Sequence, residues 1–249
     1  MEKTPHISIK AEPIFDFFGI HVTNSYLASL VVILTFFLVA FYYSSQISKT
    51  ERPRLFYLFH FMFRSFYNFF KTVAGDKITF LFPLLGSLFF YILLSNWFGL
   101  LPGVGSILVK VVEDHEVVFV PLLRGTTADL NTTVALAIVA VFSIQYYSIK
   151  YLGFKGYITK FINISNPISF FVGILEIVSE FSKIISFSFR LFGNIFAGEV
   201  ILIIITFLIP FFVSFPFLVL EVFVGFIQGF VFAMLTAVFI SLATTRAHH

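Results

Sequence analysis

The stretch SFRLFGNIFAGE, residues 188–199, places an arginine and a glutamate inside a long apolar region. It is preceded by SFFVGILEIVSEFSKIISF and followed by VILIIITFLIP, so no loop signal interrupts residues 167–209. At 1.5 Å per residue, a helix of this length measures about 65 Å, roughly twice the hydrocarbon thickness of a bilayer. The sequence therefore predicts a long charged helix that tilts steeply, lies nearly flat or breaks.

The composition is that of a membrane protein. Of the 249 residues, 59% are apolar and 12% are charged, whereas soluble chains carry about 25% charged residues. Cysteine is absent, which excludes disulfides, thiolate metal sites and thiol catalysis. The phosphate loop GxxxxGK[ST] and the zinc motif HExxH are absent too, so we expect no cofactor and no metal. The basic residues lie mainly in loops and indicate membrane topology, not nucleic-acid binding.

Apolar runs predict one membrane domain, residues 1–249, without an internal repeat. The run LFYLFHFMFRSFYNFF (55–70) mixes aromatic and polar positions, as in a helix along the membrane surface; an irregular loop is the alternative. The predicted segments are an N-terminal segment 1–23, span one 24–43, the amphipathic segment 44–77, span two 78–101, the loop 102–130, span three 131–151, a long helix 167–209 and a last helix 217–244.

The distribution of basic residues predicts the orientation of the chain. Residues 44–77, 150–166 and the C-terminus hold ten of the 16 Lys and Arg residues, whereas the N-terminus, the loop 102–130 and the last turn hold four. The positive-inside rule then places the N-terminus outside and the C-terminus in the cytoplasm. Asp129 and Asn131 are placed to cap the start of span three.

Ionisable residues concentrate in the last two helices. A charge in the hydrocarbon costs at least about 2.5–3.5 kcal/mol on insertion scales, so it is kept where it pairs, lines water or performs a function. At 100° per residue, Glu199 lies opposite Arg190, and Glu221 and Gln228 share one line of the last helix. A polar stripe contains Glu176, Glu180, Lys183, Arg190 and Asn194.

This pattern allows ion conduction. Carboxyl groups exchange protons when their surroundings permit it, whereas arginine stays charged. Carboxyl groups on either side of Arg190 therefore indicate two access routes with a cationic barrier between them. The structural alternatives are surface ion pairs for Glu176, Glu180 and Lys183, a buried structural cation for Arg190, and interhelical polar contacts for Glu199, Glu221 and Gln228.

The motif SKIISFSFRLFGNIFAGE (182–199) resembles the subunit a family of F-type ATP synthases, the stationary proton-conducting subunits beside a rotating c-ring. RLFGN followed by AGE is specific, whereas NWFGLLPG alone is weak. The resemblance covers nearly the whole chain, with further matches in EVFVGFIQGFVFAMLTAVFISLA (221–243), ADLNTTVALA (128–137), SNWFGLLPG (95–103) and HISIKAEPIF (6–15).

The resemblance implies residue roles. Arg190 matches the essential arginine that faces the c-ring and prevents proton short-circuit between two half-channels. Glu199 and Glu221 match the polar pair of one half-channel, where some relatives carry His, and Gln228 matches a glutamine facing the arginine. Further matching polar positions are Glu176, Lys183, Ser186 and Asn194. The loop RGTTADLNTT lacks the double proline common in the family.

The resemblance also implies an all-α integral membrane protein. It has about five membrane helices, a membrane-surface amphipathic helix, and a last hairpin that is long and steeply tilted. The implied partners are the c-ring, the peripheral-stalk b subunits, the remaining ATP synthase and membrane lipid. The implied location is a bacterial plasma membrane, and the subunit makes no ATP itself.

Two other functions stay open at this point, and so does the choice between protons and sodium. A self-contained secondary ion transporter predicts repeats or broken helices in both halves, whereas the polar residues lie in the second half. A non-conducting membrane scaffold predicts that Arg190→Ala changes stability alone. No nucleophile–base set supports a membrane enzyme.

Overall fold

Over the residues that it describes, the computed structural model contains six long helices and two short β-hairpins. It describes residues 11–17, 20–49, 51–101, 103–113, 116–162, 166–209 and 214–244. The helices are α1 (Asn24–Ile47), α2 (Arg54–Ala74), α3 (Ile78–Gly99), α4 (Leu130–Phe161), α5 (Pro167–Leu208) and α6 (Ser214–Ala243). The strands are β1 (Pro13–Phe17), β2 (Ile20–Thr23), β3 (Leu108–Glu113) and β4 (Glu116–Pro121).

Five helical segments of the described chain are long and apolar enough to cross a membrane. The prediction of an all-α integral membrane protein is thus confirmed. The segments are Asn24–Ile47, Arg54–Gly99 (which contains both α2 and α3), Leu130–Phe161, Pro167–Leu208 and Ser214–Ala243. Parts of the predicted terminal segments (1–10 and 245–249), of the loops (102, 114–115 and 163–165) and of the last turn (210–213) lie outside the described residues.

The two antiparallel hairpins, β1–β2 and β3–β4, were not predicted. The hairpin β1–β2 lies directly before the start of α1, and β3–β4 lies in the segment between α3 and α4. The Thr23 side chain accepts from the backbone N–H of Tyr26 and caps α1. Asp129 accepts from the N–H of Asn131 at 3.1 Å and caps α4 as predicted, whereas Asn131, also predicted as a cap, lies inside the helix. The hairpins therefore leave the helical class unchanged.

Helix α4 is longer than the predicted span three. Gly153 adopts φ 74°, a left-handed conformation that glycine adopts without steric cost, and the helix bends there. The part after the bend continues to Phe161, whose carbonyl oxygen packs against Gly173 of α5. Residues 154–161, predicted as loop, are therefore helical and lie on α5.

Helix α2 packs its aromatic face on the helix that follows it. The rings of Phe66 and Phe89 lie 4.1 Å apart, and those of Phe63 and Phe90 lie 4.9 Å apart. Arg64 and Lys71 are exposed. This arrangement gives α2 the amphipathic character predicted for 44–77; its position along a membrane surface stays a prediction.

Helices α5 and α6 form the predicted antiparallel hairpin. The rings of Phe187 and Phe232 lie 5.0 Å apart near its middle, and the hydroxyl groups of Thr206 and Ser214 lie 3.2 Å apart near its turn. Leu191 also belongs to this core, which continues into α3 and α4. This register fixes which residues of the two helices lie at the same level.

Helix α3 approaches α6 at a glycine. A Cβ atom on Gly229 would lie 3.3 Å from the carbonyl oxygen of Phe89 and 3.4 Å from the backbone nitrogen of Leu93. Small residues permit such close backbone approach between membrane helices. The contact holds the hairpin against α3.

We predict that Gly229→Leu lowers the stability of the folded chain in detergent by about 1–3 kcal/mol, because the side chain must separate α3 and α6. SDS-induced unfolding followed by circular dichroism measures the effect. The matched control is Gly193→Leu on α5, where a Cβ meets no atom within 4 Å. Equal stability of the two variants would contradict the prediction.

Candidate functional site

Arg190 lies on an exposed face of α5 together with two of the predicted polar residues. Ser186 and Asn194 precede and follow it by one turn, and all three are exposed. The Arg190 guanidinium lies 3.5 Å from the Ser186 hydroxyl oxygen, to which it donates. Within the described residues, no carboxylate pairs with Arg190. Within the described residues, its charge is therefore not neutralised by a carboxylate.

The rest of the predicted stripe turns toward α4. Lys160 Nζ lies 2.5 Å from a Glu176 carboxylate oxygen and 3.6 Å from one of Glu180. Lys183 lies 2.7 Å from Glu180 and 4.9 Å from the ring centre of Phe239. We call Lys160, Glu176, Glu180 and Lys183 the α4–α5 charge cluster; the i,i+3 pair within it was one of the structural alternatives.

Two α4 residues, Lys160 in the charge cluster and Gln145 beside it, were not predicted as site residues. Gln145 donates to Glu180 Oε2 at 2.6 Å. Lys160 was counted only as a loop cation, because the helix after Gly153 was predicted as loop. The basic residue itself was visible, but its distance from the carboxylates depended on the bend in α4.

Glu199 and Glu221 line a common cavity of about 470 Å³. The cavity lies where the end of α3, the second hairpin, α5 and α6 meet. Its polar lining includes Glu12, Asn96, Arg124, Glu199 and Glu221. We call it the Glu199–Glu221 cavity. It is large enough to hold several water molecules, since one water occupies about 30 Å³ of liquid.

Gly198 makes room for the carboxyl group of Glu221. Glu221 is buried on α6, and a Cβ atom on Gly198 would overlap its carboxyl atoms. The next residue, Glu199, also lines the cavity. In the sequence AGE (197–199), Gly198 therefore leaves space for the Glu221 carboxyl group, and Glu199 contributes a second carboxyl group to the cavity. Within the described hydrogen bonds, none joins the two carboxyl groups directly.

Asn96 fastens α6 to the wall of the cavity. Its side-chain amide donates to the Gly225 carbonyl oxygen at 2.8 Å, and its oxygen accepts from the Thr127 hydroxyl at 2.6 Å. Trp97 Nε1 donates to the Val222 carbonyl oxygen at 3.0 Å. The stretch SNWFGLLPG (95–103) was noted for its resemblance but was given no role, and the bonds of Asn96 and Trp97 supply one.

Gln228 and Arg190 lie at nearly the same level of the α5–α6 hairpin, but the Gln228 side chain is buried inside the protein. The hairpin register pairs Phe187 with Phe232 and Gly198 with Glu221, which puts Gln228 at the level of Leu191. Gln228 is buried, whereas Arg190 is exposed. No hydrogen bond joins the two side chains among those of the described residues.

Comparison with known proteins gives a consistent result over most of the chain. The family described as ATP synthase A chain matches residues 25–241. The chain belongs to this family. Similar proteins named ATP synthase subunit a occur in Syntrophobacter fumaroxidans (33% identity, 73% of this chain and 68% of the relative), Moorella thermoacetica (35%, 61% and 71%) and Legionella pneumophila (26%, 91% and 89%).

Membership of the ATP synthase A chain family confirms the resemblance inferred from the sequence. It makes the chain a multi-pass membrane protein of the ATP synthase and supports proton translocation in the membrane sector, without a catalytic site of its own. The roles of the individual residues, the neighbouring subunits and the orientation stay predictions.

We predict that Lys160 and Glu176 stabilise the chain as a pair. Alanine substitution of either should lower the free energy of unfolding, and the double variant should lose less than both singles together, with a coupling of about 1 kcal/mol. SDS-induced unfolding measures the cycle. Lys155, exposed on the same part of α4, is the control. Additive effects of the two substitutions would rule out the pair.

Proposed function

We propose that the chain is the stationary proton-conducting subunit of an F-type ATP synthase, with two aqueous half-channels separated by Arg190. The observation that best supports this proposal is the location of Arg190 on α5, between the Glu199–Glu221 cavity and the α4–α5 charge cluster. At 1.5 Å per residue, Arg190 is about 14 Å along the helix from Glu199 and about 10 Å from Lys183.

The exposed face around Arg190 supports a contact with another membrane subunit. Ile185 and Phe189, which flank the Arg190 face on the exposed side of α5, are 58% and 55% exposed, so an apolar surface adjoins the arginine. A cation facing lipid is costly, and a partner that brings a carboxylate removes that cost. We infer that this partner is the c-ring and that its carboxylate meets Arg190 after releasing its proton.

The Glu199–Glu221 cavity supports one half-channel, and the charge cluster marks the way to the other. Three carboxyl groups line the cavity, so it attracts protons from the adjoining solution. We place this cavity on the outer side of a bacterial plasma membrane, with the C-terminus in the cytoplasm. The b subunits of a peripheral stalk are further proposed partners.

Arg190→Ala should abolish ATP-driven proton pumping while proton leak through the membrane sector persists or rises, because the barrier between the half-channels is removed. Pumping and passive leak are measured side by side in inverted vesicles carrying the assembled complex. Arg64→Ala on α2 removes a distant exposed arginine and serves as the control. Normal pumping by the Arg190 variant would overturn the mechanism and favour a structural arginine.

Glu221→Gln should have a different effect. The amide fits beside Gly198 but does not release a proton as a carboxyl group does, so both pumping and passive conduction should fall without any added leak. The same vesicle assays give the result for complexes present in equal amounts. Conduction at the wild-type rate would remove Glu221 from the proposed path.

A further inference from the structure

A second arginine reaches the interior at the Glu199–Glu221 cavity. Arg124 lies between the second hairpin and α4 and is 8% exposed. Its Nη2 atom donates to Glu199 Oε2 at 3.3 Å, and its guanidinium carbon lies 6.0 Å from the ring centre of Phe196. From the sequence, Arg124 was identified only as a loop cation, whereas the structure brings it to α5.

The segment that carries Arg124 is held firmly. A Cβ atom on Gly99 would lie 3.0 Å from the Cα atom of Gly125, so the end of α3 touches the backbone next to Arg124. Three residues further along, Thr127 is fully buried and donates to Asn96. A guanidinium on such a fixed segment has a defined direction, and so does the carboxylate that it holds.

The charges of the residues that line the cavity show why the contact between Arg124 and Glu199 matters. Among the described lining residues, Arg124 is the one cation, facing the carboxyl groups of Glu12, Glu199 and Glu221. Arginine keeps its charge at every relevant pH. A hydrogen bond between ionised groups is roughly twice as strong as a neutral one. Arg124 therefore helps to fix the position of Glu199, and Glu221, on the other helix, lines the same cavity.

We propose that Arg124 is a positioning residue for proton conduction, which holds the Glu199 carboxylate at the cavity wall within reach of the water that delivers protons. Proton transfer requires the donor and acceptor to lie within hydrogen-bond distance, directly or through one water. A carboxylate without this anchor meets that condition for a smaller part of the time. The inference rests on the proposed function, since it concerns the same proton path.

The test compares Arg124→Gln, Arg124→Lys, Glu199→Gln and the double glutamine variant in assembled complexes. Passive proton conduction is measured in inverted vesicles stripped of the catalytic sector and is normalised to the amount of complex. We expect Arg124→Gln to conduct about tenfold more slowly, the size associated with one hydrogen bond to a charged group. Arg124→Lys should retain more conduction, because it keeps the charge but not the planar fork.

The double variant decides whether the two residues act together. If Arg124 acts through Glu199, the double variant conducts no more slowly than Glu199→Gln. Reductions that multiply in the double variant would overturn the proposal, as would wild-type conduction by Arg124→Gln. If the glutamine variant does not assemble, Arg124→Lys is measured instead; a reduced rate supports the proposal and an unchanged rate overturns it.

Thr127→Val is the structural control. It removes the bond to Asn96 in the same segment and leaves the cavity charges unchanged, so conduction per complex should fall less than in Arg124→Gln. An equal loss in Thr127→Val and Arg124→Gln would mean that Arg124 acts only through loop structure. Failure here is distinct from failure of the proposed function: a leaking, non-pumping Arg190→Ala beside a normal Arg124→Gln would overturn the positioning role alone.

Discussion

An ionised side chain within a bilayer must be paired, hydrated or covered by another protein, and the arrangement around α5 follows from this requirement. Near the start of the helix, Glu180 is paired with lysines of α4 and α5. Near its end, Glu199 meets Arg124 and a cavity that has room for water. Arg190, between them, pairs with no carboxylate of the described residues, which is why we propose that a neighbouring subunit covers it.

Close packing at small residues makes these solutions compatible in one hairpin. The carboxyl group of Glu221 occupies space that any side chain at position 198 would fill. Gly229 allows α3 to touch the same helix two turns further along. A membrane interior gives little hydrophobic preference for one helix contact over another, so such packing and the bonds of Asn96 define the arrangement.

The sequence predicted features that repeat along a single helix. The length of α5 followed from the lack of loop signals, and the separation of Glu199 from Arg190 followed from 100° per residue. Contacts between distant segments were beyond this reasoning. Arg124 and Glu199 are 75 residues apart, and Asn96 and Gly225 are 129 apart. Lys160 reached the charge cluster only because Gly153 bends α4 while the helix continues.

The register of the hairpin links the cavity to the face of Arg190. Gly198 opposite Glu221 and Phe187 opposite Phe232 are two points of one alignment, and Arg190 lies between them on α5. A slip of one residue would turn α6 by 100° relative to its neighbours and remove Glu221 from its space beside Gly198. The same slip would separate Phe232 from Phe187, which lies about one helical turn before Arg190 on α5. The constant separation between the proposed proton entrance and the proposed cationic barrier thus follows from the packing of one pair of helices.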